Sequence, residues 1–436
     1  MGLSKYIDII KRIDPVRVHG KISRVIGLII ESTGPSAAIG ELCRIEFGGI
    51  LVSMAEVVGF HDNKTLLMPL GLLEGIRPGF DVIVTREPLK INVGDELLGR
   101  IIDGMGKPLD DKGPINCAGS RPVTCQAPHA LTRKRISKRM ETGIRSIDAF
   151  CTIGRGQRVG IFSGSGVGKS VLLGMVARHC LADINVIALI GERGREVREF
   201  IEKDLGEDGL KRSVVVVATA DQPAVLRIKG AMVATTIAEH FRDKGKDVMF
   251  MLDSATRIAM AQREIGLAIG EPPASKGYTP SVFSLLPRLI ERAGTSDKGT
   301  ITGIYTVLVE GDDLDEPISD AMRAILDGHI VLDRALANKN HYPAVDVLKS
   351  ISRVMREVTD IKHQKACAEL SSIMAAYQGA EDLINIGAYA RGSSAEIDRA
   401  IELIKPLSVF LKQDINDKTD FNKIIAALSK LSGIET

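Results

Sequence analysis

Residues 163–170 read Ser163-Gly164-Ser165-Gly166-Val167-Gly168-Lys169-Ser170, between a predicted strand at 158–162 and a predicted helix at 168–182. In such a segment the glycines let backbone N–H groups turn inward around phosphate oxygens, and the helix N-terminus adds partial positive charge. Lys169 can reach the terminal phosphates, and the Ser170 hydroxyl can bind Mg²⁺. The strict pattern has Gly where this chain has Ser163. The segment predicts a nucleotide-binding phosphate loop, whereas the glycines alone would also fit an ordinary turn before a helix.

Two carboxylates follow apolar runs that read as neighbouring strands. Glu192 comes directly after Gly191 and the run at 184–190, and Asp253 ends the run at 248–252. In an open parallel sheet, ligands bind outside the carboxyl ends of the strands. We therefore expect Asp253 to hold the water shell of Mg²⁺ opposite Ser170, with Glu192 in the same crevice. Taken singly, each also fits a surface carboxylate at a strand end.

The sequence outside the phosphate loop divides into three regions that differ in their pattern of apolar residues and turn signals. Residues 16–88 contain short apolar stretches, at 22–30, 50–60 and 80–85, separated by turn signals, which is typical of a small β-barrel or sandwich. From residue 89, apolar strands alternate with helices, which predicts an α/β fold with a mainly parallel sheet covered on both faces. Residues from 354 onward are helix-rich. An amphipathic helix is predicted in the first fourteen residues, and a long loop at 270–287.

Composition limits the classes of function. The 436 residues contain 57 Lys+Arg and 55 Asp+Glu, with 4% aromatic residues and no Trp, which disfavours a protein that coats nucleic acid. The six cysteines show no paired spacing, which indicates reduced thiols rather than disulfides or a zinc site. No apolar run approaches the ~18 residues that span a bilayer. We expect a cytoplasmic protein whose membrane contact comes through partners.

Longer stretches resemble the rotary-type hexameric ATPase superfamily, and most closely its flagellar/type III secretion export ATPases. The resemblance covers nearly the whole chain. It rests on SGSGVGKS (163–170), GERGREV (191–197), the run at 251–294, EGDDLDEPISDAMRAILDGHIVLDRALA (310–337), HYPAVDVLKSISR (341–353) and DLINIGAYARGS (382–393). It implies a RecA-like, mainly parallel sheet core at 89–353. An N-terminal short helix with a small β-barrel domain would occupy 1–88, and a helical domain 354–436.

The resemblance also implies roles for single residues. Glu192 matches the carboxylate that polarises the attacking water, Arg193 a residue near the γ-phosphate, and Glu196 a carboxylate near the Mg²⁺ waters. Tyr342 matches an aromatic ring that stacks on adenine, and Arg353 an arginine finger supplied by a neighbouring subunit. Catalysis is thus assigned to Lys169, Glu192, Arg193 and Arg353. The nucleotide would be bound by Ser163, Gly164, Ser165, Gly166, Val167, Gly168, Lys169, Ser170, Val171 and Tyr342, and the metal by Ser170, Asp253 and Glu196.

The implied activity is Mg²⁺-dependent ATP hydrolysis by a homohexameric ring that energises flagellar-type (type III) protein export. Glu192 favours a hydrolysing subunit, because non-catalytic rotary subunits are expected to lack this carboxylate. A stator-like regulator would bind the N-terminal helix, and a coiled-coil stalk protein would occupy the pore, faced by 270–287. Further partners would be the export gate and chaperone–substrate complexes, at the inner face of the cytoplasmic membrane. GPSAAIGELCRI (34–45), INIGAY (384–389) and FLKQ (410–413) favour the flagellar branch.

Three alternatives share parts of this pattern. A catalytic-type ATP synthase subunit coupled to proton flow has the same core. A Rho-like nucleic-acid-driven motor also joins a small β domain to such a core, although the low aromatic content and balanced charge disfavour it. A module that binds nucleotide without hydrolysing it is the third, and the acid–lysine–magnesium set disfavours it.

Overall fold

The computed structural model describes residues 19–71, 73–309, 311 and 313–434, so the helix predicted for the first fourteen residues lies outside the described residues. The N-terminal region is a closed six-stranded barrel with strand order β1-β2-β5-β4-β3-β6. Its strands are β1 His19–Ile26, β2 Ile29–Thr33, β3 Leu42–Phe47, β4 Ile50–His61, β5 Lys64–Pro69 and β6 Asp81–Val84. The predicted barrel is confirmed. The stretch at 22–30 is two strands rather than one, because Gly27, at φ +54°, turns the chain between β1 and β2.

The central region contains a sheet in the order β19-β18-β12-β17-β15-β13-β14-β8, in which β16 pairs with β17. All neighbouring pairs along that order are parallel except β18 with β19. The strands from here on are β7 Lys90–Val93, β8 Ile101–Asp103, β9 Gly119–Pro122, β10 Arg139–Met140, β11 Ile153–Gly154, β12 Arg158–Ser163, β13 Ile184–Ile190, β14 Ser213–Ala218, β15 Asp247–Asp253, β16 Gly294–Thr295, β17 Thr300–Leu308, β18 Gly328–Leu332 and β19 Val345–Ser352.

Helices cover both faces of this sheet, and a separate apolar core forms on each face. Side chains of β13 alternate between the two cores: Val186 and Ile190 belong to one, and Ile187 and Leu189 to the other. The helices are α1 Arg145–Phe150, α2 Lys169–His179, α3 Gly194–Glu199, α4 Gly206–Lys211, α5 Ala224–Asp243, α6 Ala255–Ala268, α7 Pro280–Ile290, α8 Pro317–Ile325 and α9 Arg334–Asn338, with a π-helical turn at Phe200–Leu205. The mainly parallel sheet core is confirmed.

The C-terminal region is helical, as predicted. It comprises α10 Met355–Val358, α11 Ile361–Asn385, α12 Ala395–Leu411 and α13 Phe421–Ser432. Leu370, Leu407 and Ile424, one from each long helix, share a core with Phe150 and Val347 of the central region. The helical region is thereby packed directly onto the sheet domain, while the domain boundaries at 88/89 and 353/354 stay predictions.

The prediction of a loop at 270–287 is wrong for its second half, which is helical. Pro280 begins the helix α7, where its missing N–H costs nothing and its fixed φ suits a first helical residue. Val282, Leu286 and Leu289 then bury one face of that helix, so the non-helical segment stops before residue 280. Among the described residues, no helix is both long and apolar enough to cross a membrane.

Candidate active site

The phosphate loop joins β12 to α2 at the carboxyl edge of the central sheet. Gly166 and Gly168 have φ values of +76° and +95°, which side-chain-bearing residues rarely adopt. No atom lies within 4 Å of the point where a Cβ on Gly166 would stand. Gly168 is the N-cap of α2, and no side chain in the described part of the protein caps it. The first N–H groups of α2 therefore receive no cap from the N-cap side chain, which leaves them available to a phosphate.

Lys169 begins α2 and is surrounded by carboxylates. Its Nζ contacts Asp253 Oδ1 and lies 3.5 Å from Glu192 Oε1. Burial acts to lower the pKa of Lys169, but the two negative charges outweigh burial and raise it overall. The lysine is therefore held in its charged form. Three residues that are far apart in the sequence meet here, as the sequence predicted from the strand ends.

Glu192 lies in a largely desolvated position. Burial raises the pKa of Glu192 to about 7; Lys169 opposes that rise, and the negative charge of Asp253 adds to it. A hydrogen bond with Glu196 further raises the pKa of Glu192 and lowers that of Glu196. A carboxyl group with a pKa near neutrality is suited to exchange protons with a water molecule. Gly191, at φ +73°, makes the turn that places Glu192, and a Cβ there would meet Arg257 Cβ at 2.6 Å.

Arg193 and Glu196 lie at the beginning of α3, next to Glu192. The Arg193 N–H donates to Glu196 Oε2 at 3.4 Å, and the two side chains form an ion pair at 3.9 Å. The Arg193 side chain is 82% exposed. Glu196 is thus joined to the carboxylate cluster through Glu192, whereas the Arg193 guanidinium extends into solvent.

Two residues at the site have no motif that would reveal them in the sequence. Thr306 on β17 donates its hydroxyl to Asp253 Oδ1 at 2.7 Å. Arg257 on α6 is close enough to Glu192 to oppose the rise in its pKa, and its buried Nε has no hydrogen-bond partner within the described ranges. Both come close to the acidic cluster only through sheet register and helix packing.

The remaining members of the loop differ in their surroundings. Val167 is buried in the core beneath α2, and Val171 packs against the same core, so their side chains anchor the loop. Ser165 is exposed. Ser163 is buried, and its Oγ makes no hydrogen bond in the described part of the chain. The loop thus offers backbone groups and the side chains of Lys169 and Ser170 to a ligand.

Tyr342 stands beside the phosphate loop, although it is far from it in sequence. Its ring atoms lie 3.5 Å from the point where a Cβ on Gly168 would stand, and the residue is 43% exposed. Its carbonyl accepts a hydrogen bond from the Gln413 N–H at 2.9 Å, which connects it to the C-terminal region. An accessible aromatic ring therefore lies next to the phosphate loop, and its stacking on adenine stays a prediction.

Arg353 lies away from the phosphate loop of its own chain. Gly328, at the first position of β18, pairs with Ser352 on β19, whereas Ser163 pairs with Leu332 at the other end of β18. Arg353 therefore sits at the amino edge of the sheet, opposite the carboxyl edge that bears the loop. It is exposed, its N–H donates to Asp327 O, and its Nη2 donates to Arg323 O.

The donor atoms fit Mg²⁺ brought in with a nucleotide. No cluster of three or more His, Cys, Asp or Glu that could hold a metal ion occurs among the described residues. Mg²⁺ typically takes one or two carboxylates, substrate phosphates and several waters. Ser170, in the first turn of α2, and the carboxylate of Asp253 supply oxygen donors of that kind beside the loop.

Family models match three parts of the chain. The β-barrel domain of the ATP synthase alpha/beta family matches residues 22–86, and its nucleotide-binding domain matches 143–352. The T3SS EscN ATPase C-terminal domain matches residues 359–430. These matches follow the barrel, the sheet and the helical region.

Similar proteins match the chain over nearly its full length. The flagellum-specific ATP synthase of Bacillus subtilis is 56% identical, with 100% of both chains covered. The type 3 secretion system ATPase of Xanthomonas euvesicatoria is 48% identical, with 95% of this chain and 94% of the relative covered. Among solved structures, the assembled ATPase EscN of the enteropathogenic E. coli type III secretion system has a TM-score of 0.91 at 46% identity, covering 95% of this chain and 100% of that one. The chain therefore belongs to the ATP synthase alpha/beta family, in the group formed by the flagellum-specific ATP synthases and the type III secretion ATPases.

Proposed function

We propose that this chain hydrolyses Mg²⁺-ATP as a homohexameric ring and thereby energises flagellar-type protein export. The observation that carries the proposal is the convergence of Lys169, Glu192 and Asp253 beside an open phosphate loop. The match of residues 359–430 to the T3SS EscN ATPase C-terminal domain favours export over a synthase subunit coupled to proton flow. The identity with flagellum-specific relatives favours the flagellar branch.

The hydrolytic step needs positioning and charge stabilisation rather than a covalent intermediate. The backbone of residues 164–170 and Lys169 bind the β- and γ-phosphates. Ser170, Asp253 and Glu196 would hold Mg²⁺ and its waters, and the bound ion would supply positive charge at the phosphate oxygens. Glu192 accepts a hydrogen bond from the attacking water and orients it in line with the γ-phosphate. The exposed Arg193 reaches the γ-phosphate side, and Tyr342 stacks on the adenine.

The site is completed by a second subunit. Arg353 lies at the amino edge of the sheet, so its guanidinium serves a phosphate loop other than its own. An arginine finger supplied in this way stabilises the loosened γ-phosphoryl group and is worth ~10³–10⁵ in rate. The solved neighbour described as the assembled ATPase EscN supports a multi-subunit arrangement.

The proposal extends to the partners of the ring. A coiled-coil stalk protein occupies the pore, with support from a neighbour of TM-score 0.88, described as the assembled EscN in complex with its central stalk EscO. A stator-like regulator binds the N-terminal segment and brings the ring to the export gate, at the inner face of the cytoplasmic membrane. Chaperone–substrate complexes are further partners. Deleting residues 1–13 should abolish capture of the regulator and leave basal ATP hydrolysis intact; a capture that survives the deletion contradicts this assignment.

The function is tested by replacing the chromosomal gene with a Glu192→Gln variant. We expect flagellar export substrates to disappear from the medium while the protein accumulates normally. The matched control is Glu202→Gln. Glu202 is exposed, pairs with Arg198, and lies in the segment that follows Glu192. Normal export by the Glu192→Gln strain would contradict the proposed energising role.

A further inference from the structure

We propose that Thr306 is a positioning residue that fixes the carboxylate of Asp253 for the Mg²⁺ water shell. The inference rests on the proposed function, in which Asp253 serves the metal. Thr306 belongs to β17, which lies between β12 and β15 in the sheet. β12 leads into the phosphate loop and β15 ends at Asp253, so Thr306 stands between the two halves of the site.

Sheet register brings Thr306 to the carboxylate. Leu252 pairs with Tyr305, so the next residue on each strand, Asp253 and Thr306, lie side by side. Thr306 is fully buried, on the face of the sheet opposite to the side chains of Tyr305 and Val307. A hydroxyl in such surroundings needs a hydrogen-bond partner, because losing its hydration without one is costly.

The hydroxyl has two acceptors within reach, at unequal distances. Asp253 Oδ1 lies at 2.7 Å and the Leu252 carbonyl oxygen at 3.3 Å. The hydroxyl carries one proton, and a bond to a charged carboxylate at the shorter distance is the stronger of the two. Thr306 therefore donates to Asp253.

The same carboxylate oxygen also contacts Lys169. A bound triphosphate supplies several oxygens that attract the Lys169 ammonium away from Asp253. Thr306 is buried within the sheet, and its other acceptor is the more distant Leu252 carbonyl oxygen. It remains as the donor to Oδ1 throughout the cycle, and this leaves Oδ2 to face the waters of the metal ion.

The test compares nucleotide binding with and without metal in the full-length chain. ADP is titrated calorimetrically into the wild type and Thr306→Val, once with Mg²⁺ and once with EDTA. Valine has nearly the same shape as threonine and lacks the hydroxyl. For Thr306→Val we expect the ADP affinity in EDTA to be unchanged. The factor by which Mg²⁺ increases the ADP affinity should be about tenfold smaller than in the wild type. Thr306→Ser, which keeps the hydroxyl, should retain that gain.

Several results would overturn the proposal. An unchanged Mg²⁺ gain in Thr306→Val removes Thr306 from the metal site, and an equal loss in Thr306→Ser assigns the effect to methyl packing. An equal loss in EDTA and in Mg²⁺ indicates a structural role only. Thr306→Ala, judged by the same criteria, replaces the valine variant if that variant does not fold. Asp253→Asn distinguishes a failure of this proposal from a failure of the proposed function. If that variant also keeps the full increase in ADP affinity with Mg²⁺, the metal role of Asp253 is wrong, and the proposed function is revised at that residue.

Discussion

Lys169 and Glu192 are neighbours in space, yet their environments assign them different tasks. Lys169 stays charged because two carboxylates outweigh its burial, so it is suited to bind phosphate. Glu192 loses hydration and lies close to Asp253, so it is held near its protonation midpoint at neutral pH. The sequence motif identifies Lys169 locally, whereas Thr306 and Arg257 reach the site only through strand register and helix packing. No short pattern could therefore predict those two residues.

Substitution separates these two tasks. Lys169→Ala should weaken ADP binding by about tenfold or more, because it removes the positive charge that faces the phosphates. Glu192→Gln should bind ADP as the wild type does, while kcat falls by ~10²–10⁴, the usual contribution of proton-transfer groups. Calorimetric titration and steady-state hydrolysis measure the two effects. Equal loss of ADP binding in both variants would remove Glu192 from its catalytic role.

The pKa of Glu192 also predicts a pH dependence. Its carboxylate form accepts the hydrogen bond from water, and this form increases as pH rises through about 7. The value of kcat/KM, which reports the free enzyme, should therefore rise roughly tenfold between about pH 6 and pH 8 and then level off. Because burial raises this pKa from 4.5 in the unfolded chain to about 7, the stability that Glu192 contributes is fully present below about pH 4.5 and is lost as pH rises from there through about 7. A flat profile in the wild type would contradict the assignment; Glu192→Gln should lack the rise.

Among the secondary-structure elements, the sequence predicted the bounds best where every residue of an element is buried. The strand at 184–190 was predicted with its observed bounds because every residue of β13 is buried and all except Asn185 are apolar. The segment at 280–287 was misread as a loop because Pro280, Pro287 and two serines resemble turn signals. Packing of the apolar face of α7 outweighs those local preferences. The position of Arg353 at the amino edge of the sheet could not be derived from composition, since it depends on which end of β18 the edge strand β19 reaches.

A buried ion pair joins the barrel to the sheet domain and gives an element-scale prediction. Lys229 Nζ on α5 lies 2.9 Å from Glu56 Oε2 on β4, and both side chains are nearly inaccessible. Burial raises the pKa of Glu56 despite the opposing lysine. Lys229→Met should therefore destabilise the protein by about 3–5 kcal/mol, because it leaves a buried carboxylate without a partner.

Urea unfolding measures this effect, with two comparisons. The double variant Glu56→Met, Lys229→Met should recover much of the lost stability, because it removes both buried charges. Lys211→Met, which breaks the exposed pair with Asp208, should leave the urea midpoint unchanged. A Lys229→Met midpoint equal to that of Lys211→Met would show that the buried pair does not hold the barrel against the sheet domain.

At the scale of the whole molecule, the phosphate loop and Arg353 lie at opposite edges of one sheet. In the proposed mechanism a single chain therefore binds nucleotide but lacks a finger, whereas a ring of identical chains supplies one at every interface. Specific ATPase activity should accordingly rise as protein concentration increases from nanomolar to micromolar, until assembly is complete. Activity that stays constant over that range would contradict a site completed by a neighbour.

Mixing two inactive variants tests whether a neighbouring subunit completes each active site. Glu192→Gln retains the finger and lacks the water-orienting carboxylate, while Arg353→Ala retains that carboxylate and lacks the finger. In mixed rings, roughly a quarter of the interfaces at equal mixing combine an intact site with an intact finger. ATP hydrolysis should reappear on mixing, well above that of either variant alone. A mixture no more active than its two components, or full activity of Arg353→Ala by itself, would contradict it.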